Sequence, residues 1–189
     1  KEFIECIELA GYSTTTLSTK DFLEGVSNPE IPHIICVGLD LELRKTVSDY
    51  ADNNRYSLFT YIDSTSRVSK DAVISPGSFI GPYSFIGPNV KIHSHVIIAP
   101  YTMINHGSVI GRGTITHPGV IIAGSTQVGE FCRFSLRSTA IDHLTICDDA
   151  QLGAGAILTK DITEPGRYLG NPARKIFTPP RCHVGNKNS

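Results

Sequence analysis

Seven histidines and five cysteines hold most of this chain's capacity for proton transfer, nucleophilic attack or metal binding. An imidazole titrates near pH 6.5, so a histidine can act as a base at neutral pH wherever its setting allows. His106 stands in the segment Ile104-Asn105-His106-Gly107-Ser108-Val109-Ile110-Gly111. A second segment, Pro118-Gly119-Val120-Ile121-Ile122-Ala123-Gly124, follows it and holds His117 just ahead of its proline. The cysteines, Cys6, Cys36, Cys132, Cys147 and Cys182, are odd in number and form no CxxC pair, which fits neither a disulfide framework nor a zinc ribbon. Cys132 and Cys147 read as packing residues rather than nucleophiles, and a reducing, cytoplasmic compartment is expected.

The elements that must position these residues follow from an internal period. Stepping by six from Ile62 gives Val68, Ile74, Ile80, Ile86, Ile92, Ile98, Ile104, Ile110, Thr116, Ile122, Val128, Phe134, Ala140, Ile146, Leu152 and Leu158, nearly all of them branched aliphatics. Four residues after each comes a small or β-branched residue, with Leu144 and Ile162 departing. Six is neither a helical nor a simple strand period, so each hexad predicts a short strand plus a turn. Three hexads then make one turn of a parallel β-helix with the aliphatic residues inside. Gly81, Gly87, Asn105, Gly111, Gly129 and Gly153, each next to an inward residue, read as the corner residues whose backbone freedom permits the bend. On this frame His93 and His95 share one hexad and read as surface turn residues, as do His33, His143 and His183.

Ahead of the repeat, Phe3, Ile7 and Ala10 followed by Gly11 read as the end of an amphipathic helix. Ile34-Ile35-Cys36-Val37-Gly38 reads as a buried strand, and Asp40 as the cap of a helix with Leu43, Val47, Tyr50 and Ala51 on one face. Ser57 to Ile62 returns as a strand. The predicted organisation is a truncated, Rossmann-like βαβ unit over residues 1–61, a left-handed β-helix over 62–163 and a C-terminal extension over 164–189. No glycine-rich turn precedes the first helix, and a start at Lys1 suggests that the sequence begins inside a longer chain. The tail from Pro179 to Ser189 is expected to be mobile and to carry no chemistry.

Charge excludes some partners. Residues 1–61 carry net -5 and residues 62–189 net +4, and the whole chain is at -1, too weak a field for nucleic acid but suited to a small anionic ligand. The apolar runs are too short for membrane insertion. A short prism with weakly charged stretches such as Val96 to Val109 is expected to associate side by side as a homotrimer.

The order of these parts, closed by Gly170-Asn171-Pro172-Ala173-Arg174-Lys175, resembles the hexapeptide-repeat nucleotide-sugar acetyltransferases, which include bacillosamine-pathway and perosamine N-acetyltransferases and sialic-acid O-acetyltransferases. The resemblance runs from Phe3 to Ile176. It implies a trimeric enzyme that moves acetyl from acetyl-CoA to an amino or hydroxyl group of a nucleotide-linked sugar in surface-glycan biosynthesis, without a metal. It places His106 on the catalytic histidine, Gly124 on the backbone donor to the oxyanion, and Leu136 and Ala154 beside the pantetheine arm. Asn171, Arg174 and Lys175 would meet the adenine and phosphates. Two departures stand out: the acidic residues flanking the family's histidine are Asn105 and Gly107 here, and a second family histidine falls on Ile115. Asn105 and His117 are therefore secondary catalytic candidates.

Acetyl transfer requires the acceptor to lose a proton as it attacks, which is work for a histidine base. No cysteine or serine stands in a clear nucleophile context near His106, so direct transfer in a ternary complex is expected. Zinc chemistry of the kind found in trimeric β-helix carbonic anhydrases would need a His-x4-His pair, and there is none. Two alternatives remain open: a β-helix that has lost catalysis and serves as a binding or assembly subunit, and an acyltransferase with a different acyl donor.

Overall fold

The computed structural model describes residues 18–25, 28, 30–36 and 40–176. The expected helix through Phe3, Ile7 and Ala10, the residues Cys6, Cys182 and His183, and the tail from Pro179 lie outside them. From Tyr61 onward the chain is a left-handed parallel β-helix of about six turns.

Its three faces take every third strand. One sheet joins β1 (Tyr61–Ile62), β4 (Phe79–Ile80), β7 (Ile97–Ile98), β10 (Ile115–Thr116), β13 (Arg133–Phe134), β16 (Ala150–Leu152), β18 (Gly166–Leu169) and β19 (Arg174–Ile176). The second joins β2 (Arg67–Val68), β5 (Phe85–Ile86), β8 (Met103–Ile104), β11 (Ile121–Ile122), β14 (Thr139–Ala140) and β17 (Ile157–Leu158). The third joins β3 (Val73–Ile74), β6 (Lys91–Ile92), β9 (Val109–Ile110), β12 (Gln127–Val128) and β15 (Thr145–Ile146). Pairing is parallel with an 18-residue offset from β1 through β17; only β18 and β19 turn antiparallel, closing the C-terminal end as a hairpin.

The register expected from the hexads is the register of the core. Ile80, Ile86, Ile92, Ile98, Ile104, Ile110 and Ile122 are buried in a single interior cluster, and Leu144 and Ile162, which depart from the small-residue position, are buried there as well. Phe134 fits because the next inward residue of the same turn is Ala140, which offsets its volume. Thr116 is an interior polar residue, yet its hydroxyl lies 3.3 Å from the Ala99 amide and 3.3 Å from the Thr102 hydroxyl. The small position has its own chemistry: Ser78, Ser108, Thr114 and Thr126 each donate to a carbonyl fifteen residues on, at 2.9 to 3.0 Å. These bonds run from coil to coil and satisfy corner carbonyls that the strands leave over.

The corners correct one expectation. Gly81, Gly87, Gly111, Gly129 and Gly153 do not have positive φ; the left-handed residue is two further on, at Tyr83, Asn89, His95, Tyr101, Phe131, Arg137, His143 and others at the same six-residue spacing. The glycines are there for space. A Cβ on Gly87 would lie 2.9 Å from the His106 nitrogen.

The N-terminal elements are α1 (Thr19–Leu23) and α2 (Leu41–Asn53), the latter capped by Asp40, whose carboxylate accepts from the Leu43 amide at 3.0 Å. A parallel bridge pairs His33 with Leu58 across α2, a remnant βαβ crossover around Phe22, Ile35, Val47, Ala51 and Tyr56. This unit sits on the first sheet, where the outward residues Tyr61, Phe79, Ile97 and Ile115 pack with Ile34, Leu41 and Phe59.

Arg44 of α2 ties the two parts together and is fully buried. It donates to the carbonyls of Gly113 at 2.9 Å, Ile35 at 3.0 Å and His95. Burial pulls its pKa down to about 10, so it remains charged at neutral pH. His95 is not a surface residue: it is fully buried under α2, with Nε2 2.8 Å from the Asp52 carboxylate. Arg112 closes the seam on Asp49 at 2.9 Å and Asp52 at 2.7 Å.

Candidate active site

His106 sits at the corner between β8 and β9, where Gly107 takes the positive φ that lets the chain turn. Its side chain is exposed on the outside of the prism. One turn further on, Gly124 occupies the same corner between β11 and β12, and the imidazole lies against its backbone. A Cβ at Gly124 would be 2.5 Å from Cε1 and 2.6 Å from Nε2 of His106, a clash that only glycine avoids. The His106 carbonyl accepts from Ser125 at 2.8 Å, and the Gly124 carbonyl accepts from His143 at 2.9 Å, so the ladder fixes both backbones. The Gly124 amide has no hydrogen-bond partner among the described residues. It is therefore an available donor beside an imidazole.

Asn105 points elsewhere. Its side-chain amide donates to the Ile122 carbonyl at 3.2 Å, and no carboxylate among the described residues bonds the His106 ring. Ile115, at the other altered position, is buried in the apolar cluster beneath the N-terminal unit.

His117, Leu136 and Ala154 occupy a different corner, the one joining the first sheet to the second. Leu136 is 53% exposed, so its apolar side chain is available to a ligand or a second chain. His117 is half-buried and held below the usual histidine range by burial and by nearby Arg133. Asn171, after β18, follows at the C-terminal end of this corner. Lys175 lies on β19 and is paired with Glu164 at 2.7 Å, which raises its pKa; Arg174 donates to the Ala173 carbonyl at 2.9 Å. The chain thus brings His106, Asn105 and Gly124 together and puts the remaining candidates across the second sheet from them.

The outward ladder of that sheet runs Phe85, Met103, Ile121, Thr139 and Ile157, apolar apart from Thr139, with Met103 42% and Ile121 37% exposed. Cys132 is buried and its thiol is pushed up to about 12 by that burial, which leaves it no nucleophilic character. No group of three or more His, Cys, Asp or Glu side chains suited to a metal occurs among the described residues, and no helix among them is long and apolar enough to cross a membrane.

The repeat and the prism define the class. The pattern of the bacterial transferase hexapeptide family, six repeats, matches residues 71–106. Over 49 residues the chain is 47% identical to the UDP-3-O-acylglucosamine N-acyltransferase of Bordetella avium, a match covering 26% of this chain and 14% of the relative's length. Two solved structures share the fold over most of their length. PerB from Caulobacter crescentus, solved with CoA and GDP-perosamine, superposes with a TM-score of 0.83 at 18% identity, covering 93% of this chain and 91% of that one. The acetyltransferase domain of PglB from Neisseria gonorrhoeae superposes with a TM-score of 0.77 at 23% identity over 83% and 77% of the two chains; it has also been solved with acetyl coenzyme A. These neighbours match the family that the sequence resembles.

Proposed function

We propose that the protein is an acetyl-CoA-dependent acetyltransferase acting on an amino or hydroxyl group of a nucleotide-linked sugar, with His106 as general base. The observation that carries this reading is the His106 imidazole lying against Gly124, whose amide has no partner among the described residues. The neighbours solved with CoA and a nucleotide sugar support the same class of ligands.

In the proposed reaction the acceptor nitrogen or oxygen attacks the thioester carbonyl while His106 takes its proton. The carbonyl oxygen gains charge and accepts a hydrogen bond from the Gly124 amide, a fixed donor that needs no reorganisation. Collapse of the tetrahedral intermediate breaks the carbon–sulfur bond, and the imidazolium returns its proton to the departing CoA thiolate. No covalent acyl-enzyme is involved.

The split between two corners gives the assembly a role. A second copy packed on the apolar ladder of Met103 and Ile121 would bring one chain's His106 corner against its neighbour's Leu136 and Ala154, completing the donor groove in a cytoplasmic homotrimer. The α/β unit over residues 1–61 would then face the nucleotide-linked sugar. Light scattering on the intact protein should give about three times the 20.5 kDa chain mass.

The test is release of CoA thiol from acetyl-CoA against a panel of nucleotide-linked amino sugars. His106→Ala should lower kcat by roughly 10²- to 10⁴-fold with little change in CoA affinity. Turnover that survives this substitution removes His106 from the mechanism. That no carboxylate among the described residues bonds the imidazole favours one second reading, a binding subunit without catalysis. Tight CoA binding with no turnover on any acceptor would select it.

A further inference from the structure

The corner that joins the first sheet to the second carries a column of left-handed residues, one per turn: Tyr83, Tyr101, Gly119, Arg137 and Gly155. Tyr83 and Tyr101 are 58% and 62% exposed, and their rings stack with centroids 5.2 Å apart and planes 14° from parallel. That separation is close to the strand spacing of about 4.8 Å, so the stack runs along the prism axis. The backbone holds it there, with φ of +56° and +60° at the two tyrosines and the Tyr83 amide donating to the Thr65 hydroxyl at 3.0 Å.

On the third rung the rings stop. Gly119 has no side chain, so the upper face of Tyr101 is open, and Tyr83 is its ring partner among the described residues. Arg137 roofs the gap: its Cγ stands 3.1 Å and its Nε 4.0 Å from where a Gly119 Cβ would be. Its side chain makes no hydrogen bond or ion pair among the described residues. The result is a recess one rung high with an aromatic floor. Rings fixed before a ligand arrives lose little freedom on binding it, and they offer a flat apolar surface to the face of another ring.

Height on the prism decides which ring. His106 follows Tyr101 by five residues, and its imidazole reaches the level of Gly124, five residues after Gly119. In copies related by an axis parallel to the prism, equivalent positions share a height. A neighbour's imidazole therefore stands level with the recess, about one rung above the Tyr101 ring. Leu136 and Ala154, the donor candidates, lie higher on the same corner. The recess is thus on the acceptor's side of the reacting atoms, and the part of the acceptor nearest those atoms is its sugar.

We propose that Tyr101, stacked on Tyr83, is the platform for the acceptor's sugar ring, and that it serves the His106 of a second copy rather than its own. This rests on the acetyltransferase reading above, although sugar binding on the platform does not require His106 to be the base.

Kinetics of the intact protein on the panel of nucleotide-linked amino sugars test both parts. Tyr101→Ala should raise the acceptor KM about 10-fold or more with CoA affinity unchanged. Tyr101→Phe, which keeps the ring, should recover most of that loss, and Tyr101→Leu, which keeps apolar bulk without a flat face, should not. Co-expressed as mixed oligomers, Tyr101→Ala and His106→Ala chains should regain turnover at the wild-type KM, because some sites then pair an intact histidine with an intact tyrosine of another chain. A wild-type KM in Tyr101→Ala, or equal rescue by Leu and Phe, would overturn the platform. A raised KM with no recovery in mixed oligomers would overturn its placement across the chain boundary. Affinity for UDP or GDP alone should not change, and a loss there would overturn the assignment to the sugar. If the wild type turns over no acceptor, the acetyltransferase reading fails. Calorimetric binding of an amino-sugar nucleotide that depends on Tyr101 would then still uphold the platform, whereas binding indifferent to Tyr101, or none, would overturn it.

Discussion

His95 and His143 occupy the same position in their hexads, and both have φ of +59°. His95 is fully buried, whereas the His143 side chain is 75% exposed. The whole difference is that α2 lies over one corner and solvent over the other. Within the prism most inward positions repeat the same solution, an aliphatic side chain stacked on its equivalents one turn above and below, with Thr116 and Phe134 as exceptions. At the seam with α2 each contact occurs once: Arg44 on three carbonyls, His95 on Asp52, Arg112 on two aspartates. Repetition spreads stability over many small equal terms; the seam concentrates it in a few polar groups that are costly to leave unpaired.

Three perturbations should separate the two regions. The largest is Arg44→Ala, which leaves the buried carbonyls of Ile35, His95 and Gly113 without their donor and opens a cavity. It should cost about 3–5 kcal/mol at the seam. Hydrogen exchange should show α2 losing protection while β7 to β17 keep theirs; uniform loss across the prism would mean that the seam and the repeat unfold as one unit.

Ile110→Val removes one methylene from the interior, where Ile110 is fully buried, and should cost roughly 0.5–1.5 kcal/mol. Here the loss should appear as a lower melting temperature with α2 protection unchanged.

The smallest effect is that of mild acid. Burial lowers the His95 pKa below 6.5 by more than the Asp52 hydrogen bond raises it, so His95 is neutral at pH 7 and donates from Nε2. Its Nδ1 is buried with no partner among the described residues, so a proton there would find no acceptor among them. Because the folded state binds this proton less readily than the unfolded state, the His95 contribution is fully present above about pH 6.5. It is lost as pH falls below that value toward the folded pKa. Burial would raise the Asp52 carboxyl, but its bonds to His95 and Arg112 outweigh that and lower it, so its own contribution lasts to a far more acidic pH. Protection factors at α2, with the intrinsic pH dependence of amide exchange divided out, should therefore fall between pH 7 and pH 5.5 in the wild type. A seam indifferent to pH over that range would mean that His95 is not the titrating group.

These differences explain what could be read in advance. The hexads located the core because burial in a β-helix depends only on position within six residues, a pattern carried along the chain itself. Gly124 entered the site through the family resemblance, and the repeat is consistent with it, since a spacing of eighteen residues is one turn. The left-handed corner residues could not be read in advance, because the tight coil imposes positive φ on Tyr83, Phe131 and Arg137 as readily as on glycine. The alignment of Arg133, Gln151 and Arg167 on one ladder was not legible, because β18 pairs with β16 at an offset of sixteen residues rather than the eighteen of the repeat.

By itself, then, the sequence determined the prism, its register and the cap at Asp40, all of which rest on local preference and a fixed repeat. Only the tertiary structure decided which face α2 covers, and with it the burial of Arg44 and His95. Those depend on where two separately folded surfaces meet, and no short-range period in the chain encodes that meeting.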